Sequence, residues 1–330
     1  MTGKQRISVF LIGVAIGCVL LSFLPRKAKD ATAVHPWHAQ TASDGYYPRI
    51  HTDGYGRDLT IPGQPRNLVS IAPSITETLF AMGMGDHLKA VTDWCKLPAG
   101  TANVERIGSL DLPNREKIAA LQVDAVLGSN LTPRRTYEQF ATAGQLAIQF
   151  DFSDYDKTRK SIKELGSVLG VPGMSLKLLN ALETRRMAID SKLAALSTGS
   201  PRALLLYDLR DLTSAGKGAW PGDLLEQAHA VNIAAAASSS WPKLTLEAII
   251  AAAPEVVIIA VGDSDTARKS TEAAIATLKT NTSWSLTPAV RNGRVVMISS
   301  DLLTIPGPGI IDAYEALARA VHPEAFAEGL

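Results

Sequence analysis

The sequence predicts an α/β protein of two lobes with parallel-type sheets, joined by one long backbone helix. Three observations predict it. Short apolar runs alternate with helical segments on both sides of the chain's middle, the pattern of βαβ units. Between them Met174 to Leu196, MSLKLLNALETRRMAIDSKLAAL, holds no Gly or Pro and is rich in strong helix formers. Its Leu178, Leu182, Ile189, Leu193 and Leu196 follow at steps of 4, 7, 4 and 3, one stripe of a helix roughly 35 Å long. A surface helix inside one domain would show the same periodicity; with strand and helix signals on each side, a rod joining two lobes is expected. Finally, 330 residues accommodate about two domains.

The chain divides into a signal or anchor (1–30), a linker (31–62), a first lobe (63–170), the connecting helix (171–198) and a second lobe (199–330). Lys4 and Arg6 precede Ile7 to Leu24, eighteen residues without a charge, and Arg26, Lys27 and Lys29 follow. That is a secretory signal or a single membrane anchor. Ala31-Thr32-Ala33 resembles a late cleavage site and Ala15 to Cys18 a lipid-attachment site. The length favours export with retention at the membrane. Positive charge on both flanks leaves the orientation open. The linker is polar and ends in a short hairpin around Asp53-Gly54. His35 and His38 lie in it without further ligands, so they read as solvated and no metal site is expected.

The first lobe opens with a strand over Asn67–Ala72. Ser74 and Glu77 have the spacing of a capping box, which starts a helix running to Met82 and stopped by Gly83 and Gly85. A strand over His87–Asp93 completes a right-handed βαβ unit. Helix over Arg115–Ala120, strand over Ala125–Gly128, helix over Thr136–Ala143, strand over Ala147–Phe150 and helix over Tyr155–Leu169 follow. The second lobe alternates in the same way, with strand Arg202–Tyr207, helices Gly222–His229 and Leu246–Ala252, and the apolar strand Val256–Val261. Helix Thr271–Lys279, strand Arg294–Ile298 and helix Gly309–Val321 close it.

The lobes share a repeat. Glu116 to Leu127 and Glu247 to Ile258 both read acid, short helix, acid, apolar strand, so that Glu116 matches Glu247, Ile118 matches Ile249 and Asp124 matches Glu255. An acid at a helix start is favourable by roughly 0.3–1 kcal/mol, which alone would place both. A symmetric pair of carboxylates, one per lobe, also suits a symmetric partner with basic pockets.

The net charge of +1 shows no footprint for nucleic acid. Of the two cysteines, Cys18 lies in the apolar leader, which leaves Cys95 without a disulfide partner in the folded part and the redox compartment open. P-loop, Rossmann, nucleophile-elbow, Cys-x-x-Cys and His-Glu-x-x-His patterns are absent, and no enzyme is expected. What remains are polar and aromatic residues just after strands, where α/β sheets bind ligands. They are Asp93, Trp94 and Cys95, then Lys217 and Trp220, Trp241-Pro242, and Asp301, Leu302 and Thr304. Cys95 reads as a small buried hydrophobe.

From about Asp58 onward the chain resembles the helical-backbone periplasmic binding proteins of ABC importers, which carry cobalamin, ferric siderophores or haem. The resemblance rests on Arg66-Asn67-Leu68-Val69-Ser70-Ile71-Ala72-Pro73-Ser74-Ile75-Thr76-Glu77, Gly83, Val91-Thr92-Asp93-Trp94, the repeat at Glu116 and Glu247, Thr213-Ser214-Ala215-Gly216-Lys217 and Gly222-Asp223-Leu224-Leu225. It implies two lobes on a single long helix, a ligand cleft between them and a small hinge motion. It further implies that Glu116 and Glu247 dock in arginine pockets of a permease dimer served by an ATPase. The set looks closest to the cobalamin branch: Trp94 stands at an aromatic cleft position and Trp241-Pro242 matches its Trp-Pro, whereas Leu110 and Leu302 replace aromatics. Trp94, Trp220 and Trp241 would then stack on a corrinoid or metal chelate, with Asp93, Lys217 and Asp301 at its polar rim. The location implied is the periplasm or the outer face of the cytoplasmic membrane. A ferric-siderophore or haem receptor and a membrane-tethered sensor are the alternatives; an enzyme on this fold stands behind both.

Overall fold

A computed structural model describes residues 46–197 and 199–327. The expected leader, Cys18, His35 and His38 lie outside the described residues. Among the described residues no helix is long and apolar enough to cross a membrane.

The chain enters through a hairpin, β1 (Arg49–Thr52) and β2 (Asp58–Ile61), paired antiparallel around Asp53 and Gly54. The second half of the expected linker is therefore a folded element of the first lobe. Asp53 is buried, accepts from the Tyr55 and Arg57 backbone N–H groups and pairs with the Arg57 guanidinium, which also donates to the Ala147 carbonyl.

The first sheet is parallel, in the order β5 (Glu105–Arg106), β4 (Leu88–Val91), β3 (Leu68–Ser70), β6 (Ala125–Ser129), β7 (Ala147–Phe150). Helices α1 (Pro73–Ala81), α2 (Arg115–Ala120), α3 (Arg134–Thr142) and α4 (Tyr155–Val168) belong to this lobe. Helix α1 departs from expectation at its start. Pro73 takes the first helical position, so Ala72, with φ −142° and ψ 138°, is the cap and offers no side-chain acceptor. Ser74 is consequently inside the helix, where its buried hydroxyl has no partner among the described residues, and Glu77 turns away from the helix start. The capping box does not form. The stop at Gly83 does: its φ of +75° is the left-handed cap that glycine adopts without a Cβ clash.

Helix α5 (Pro172–Ala194, 23 residues) is the rod. It packs on α4 of the first lobe and on α11 (Ile310–Val321) of the second. Leu182, Ile189 and Leu193 of the expected stripe are buried, with Leu178 and Leu196 half-buried beside them. Tyr314 of α11 donates to Asp190 on the rod at 2.5 Å, and Arg185 reaches Asp312 and Glu315.

The second sheet is also parallel, in the order β11 (Val295–Ser299), β10 (Val256–Val261), β8 (Arg202–Leu206), β9 (Val231–Asn232). Helices α6 (Trp220–Gln227), α7 (Leu246–Ala252), α8 (Asp265–Thr280), α9 (Pro288–Arg291) and α10 (Ser300–Thr304) accompany it. Alternation along the strands sorts the core. Leu68, Leu127, Leu205 and Ile258 face a continuous inner core that runs across both lobes through the rod. Val69 and Val126 face an outer core under α3, and Leu204, Leu206 and Val257 a second one under Trp284.

The repeat is a repeat of structure. Asn114 and Thr245 cap α2 and α7 by accepting from the third residue on, and Ile118 and Ile249 are buried beneath. Asp124 then accepts from the Asn67 N–H and Glu255 from the Arg202 N–H, each tying down the start of the neighbouring strand. Both repeats carry the same strain after the helix: Gln122 at φ 49° and Ala253 at φ 48° lie in the left-handed region that costs a Cβ-bearing residue roughly 1–2 kcal/mol. Ala253→Gly is expected to raise unfolding stability by about 1 kcal/mol, read from urea midpoints at unchanged slope.

Candidate functional site

In a parallel sheet the loops beyond the strands' carboxyl ends gather on one edge. Here the edges of both sheets open on one cleft. Asn130 and Leu131 follow β6 and Ser153 follows β7; α10 follows β11, and Tyr207 follows β8. A buried hydrogen bond from the Thr158 hydroxyl on α4 to the Pro306 carbonyl, 3.1 Å, joins the two lobes.

The cleft holds two hollows, one on each side of α10. The first, about 240 Å³, is lined by Asn130, Leu131 and Ser153 of the first lobe and by Gly218, Trp220, Trp241 and Thr304 of the second. The second, about 500 Å³, is more apolar and is bounded by Phe80, Leu97 and Pro98 on one side and Leu302 and Ile305 on the other, with Glu77, Asp301 and Asp312 at its polar margin. A larger hollow of about 780 Å³ is lined by charged side chains of α4, α5 and α6, with Trp220 at its border. An ion pair between Arg159 and Glu183 runs across it, and it contains no strand end. We therefore place the candidate site in the cleft.

Local chemistry holds these side chains in place. Trp241 is 45% exposed and meets Tyr207 edge to face, ring centroids 5.2 Å apart. The Tyr207 hydroxyl donates to the Leu303 carbonyl at 2.7 Å, so the indole is braced against α10; burial pushes that phenol's pKa up, and it stays protonated. The segment carrying Trp241 is stitched to the Gly-rich loop by Gly216 N–H to Ser240 carbonyl and Ser214 N–H to Pro242 carbonyl bonds of 2.9 Å each. Gly222 at the start of α6 lies so close under that loop that a Cβ there would strike the Gly216 and Ala215 carbonyls. In the first lobe, Arg106 donates to the carbonyls of Thr92, Cys95 and Thr101 and thereby pins the loop that carries Trp94 and Leu97.

The side chains expected from the sequence fall into groups. Trp241, Trp220 and Thr304 come together in the first hollow, although Trp220 is only 7% exposed and belongs largely to the core. Asp301 and Leu302 sit in the second. Trp94, 62% exposed, and Asp93 stand on the first lobe beside Leu97, and Lys217 is exposed on the Gly-rich loop. Cys95 is fully buried beside Thr92, and burial pushes its thiol up, which leaves it unreactive. Glu116 and Glu247 are exposed second residues of their helices, and neither carboxylate has a partner among the described residues. Among the described residues no cluster of His, Cys, Asp or Glu is arranged to hold a metal ion.

Sequence reasoning missed Asn130, Leu131, Tyr207, Arg106 and Glu77. Asn130 and Tyr207 follow strands just as Trp94 and Asp301 do and were open to the same rule. Glu77 has the sequence spacing of a cap, which hides its place in the cleft. Burial, then the charges of Asp301 and Asp312, push its carboxyl up to about 8.

The model of the periplasmic binding protein family matches residues 68–302. The chain is 28% identical over 308 residues to YvrC of Bacillus subtilis, an uncharacterized ABC transporter substrate-binding lipoprotein, covering 92% of this chain and 90% of that one. It is 27% identical over 291 residues to a cobalamin-binding protein of Halobacterium salinarum, covering 86% and 77%. Among solved structures, the periplasmic vitamin B12 binding protein BtuF of Vibrio cholerae superposes with a TM-score of 0.65 at 22% identity, covering 80% of this chain and 99% of its own. The periplasmic heme-binding protein RhuT of Roseiflexus sp. RS-1 superposes with a TM-score of 0.67 at 26% identity, covering 80% and 100%.

Proposed function

The chain belongs to the periplasmic binding protein family, and from that premise we propose that it captures a flat, largely apolar chelate of the corrinoid or haem class between its lobes. It is the substrate-binding partner of an ABC permease and its ATPase, and it works outside the cytoplasm. Retention at the membrane through the N-terminal apolar segment is part of the proposal, as is docking through Glu116 and Glu247.

The observation that carries the ligand class is the aromatic wall of the cleft. An indole half exposed and braced by Tyr207 offers a rigid plane at little entropic cost, and the apolar second hollow extends the surface past α10. A corrinoid is favoured first because relatives that align over most of this chain bind cobalamin. Haem is the second reading, favoured by the likeness to a heme-binding structure.

Titrating the protein with cyanocobalamin, haemin and a ferric hydroxamate separates these readings. Tryptophan fluorescence is expected to be quenched saturably by cyanocobalamin at micromolar concentration or below. Quenching by haemin alone moves the assignment to haem, and silence with all three sinks the proposed ligand class.

A further inference from the structure

Three carboxyl groups, one from the first lobe and two from the second, line the margin of the apolar hollow beside α10. Glu77 leaves α1 and crosses to the second lobe: its Oε2 lies 3.0 Å from where a Cβ would stand on Gly307 and 3.6 Å from the same point on Gly309. Asp301 on α10 and Asp312 on α11 border the same hollow. Other charged groups flank these three. Arg185 of α5 is bound to Asp312 at 2.7 Å and to Glu315 at 3.2 Å. Lys96, on the loop after β4, acts on Asp301, and Asp263 after β10 sets a further negative charge beside it. Among the described residues no cation pairs with Glu77, and the apolar side chains of Phe80, Leu97, Leu302 and Ile305 line the same hollow.

We propose that Glu77 is a proton-controlled latch between the lobes: its neutral carboxyl lets them rest together across this hollow, and loss of the proton drives them apart by setting its charge against Asp301 and Asp312. The latch rests on the capture of ligand between the lobes proposed for this protein, and it makes that hold pH dependent. With its carboxyl pushed up to about 8, Glu77 is neutral at pH 7, so the latch is set there and released in mildly alkaline solution. The sign follows from linkage. Between the ordinary value of 4.5 and about 8 the folded chain binds more protons at this site than the unfolded chain, so its stability contribution is full below that window and lost as pH rises through it. Each unit by which opening lowers the Glu77 pKa weakens the hold on ligand by about tenfold at the alkaline end.

The test uses the full chain without ligand, so that it is independent of what the cleft binds. Spin labels on genetically encoded non-canonical residues replace exposed Glu138 of α3 and Glu272 of α8, and the distance between lobes is read at pH values from about 6.5 to about 9.5, either side of the Glu77 transition. The wild-type distance is expected to change with a midpoint near pH 8, and Glu77→Gln to hold the low-pH distance throughout. Asp301→Asn, which removes one repelling charge, is expected to move the midpoint to lower pH and keeps the test open if Glu77→Gln fails to fold. In thermal melts the wild type is expected to lose stability relative to Glu77→Gln as pH rises to about 8. A constant wild-type distance, an equal response in Glu77→Gln, or an unmoved midpoint in Asp301→Asn overturns the latch. Failure of all three chelates to bind would overturn the capture reading instead and leave these distances as they are.

Discussion

Reversing the charge at both Glu116 and Glu247 to lysine is expected to abolish ligand uptake by cells while leaving ligand affinity unchanged. Each carboxylate is the second residue of a short helix, presented outward on one lobe by a side-chain cap, and neither has a partner within the described chain. Inside the protein their worth is small: losing an acid from a helix start costs roughly 0.3–1 kcal/mol, less than most folded domains need to stay folded. At an interface the balance inverts. Setting a lysine against a basic pocket costs about 3 kcal/mol or more per site, and two sites together weaken docking by more than about ten-thousandfold. Neither residue lines the cleft, so fluorescence titration of the variant with its ligand should match the wild type. Single reversals are expected to fall between. Uptake that survives the double reversal would show that the two acids serve only their helices.

Trp241→Ala is expected to weaken ligand affinity at least about thirtyfold, with Trp241→Phe recovering a substantial part. Interface residues that cost about 2 kcal/mol or more on truncation are typically aromatic side chains set in a braced surround. Trp241 is held that way by Tyr207, which is itself tied to Leu303. The indole is 45% exposed in the ligand-free protein, so its removal opens no sealed cavity, and the fold should be disturbed by well under the loss in affinity. Calorimetric titration and a melting curve on the same variant separate the two effects. An affinity within about threefold of the wild type would remove Trp241 from the binding surface.

Regular elements of this protein are legible residue by residue. Arg115–Ala120, Ala147–Phe150, Leu246–Ala252 and Val256–Val261 have the bounds that their patterns predict, because caps and burial periodicity act over only a few neighbours. The rod begins two residues before the helix-forming run at Met174, since Pro172 serves as a first helical residue, and ends at Ala194 rather than Leu196. Where two local rules compete, the sequence misleads. Ser74 and Glu77 satisfy the spacing of a capping box, yet Pro73 shifts the helix start by two positions, from a Ser74 cap to Ala72, and frees Glu77 to cross the cleft. The short strands β5 and β9 and the helix α10 escape notice because two to five residues carry too little periodicity to stand out.

The chain by itself determined two α/β lobes, the strut between them and the twin acids on matching helices, because each of these is written in contacts between residues close in sequence. Only the tertiary structure decided which post-strand side chains share a hollow, that Trp220 is mostly core while Trp241 is half open, and that Glu77 faces Asp301 and Asp312. Those facts depend on how distant segments meet across the cleft, and with that on local dielectric and charge, which no spacing along a chain records.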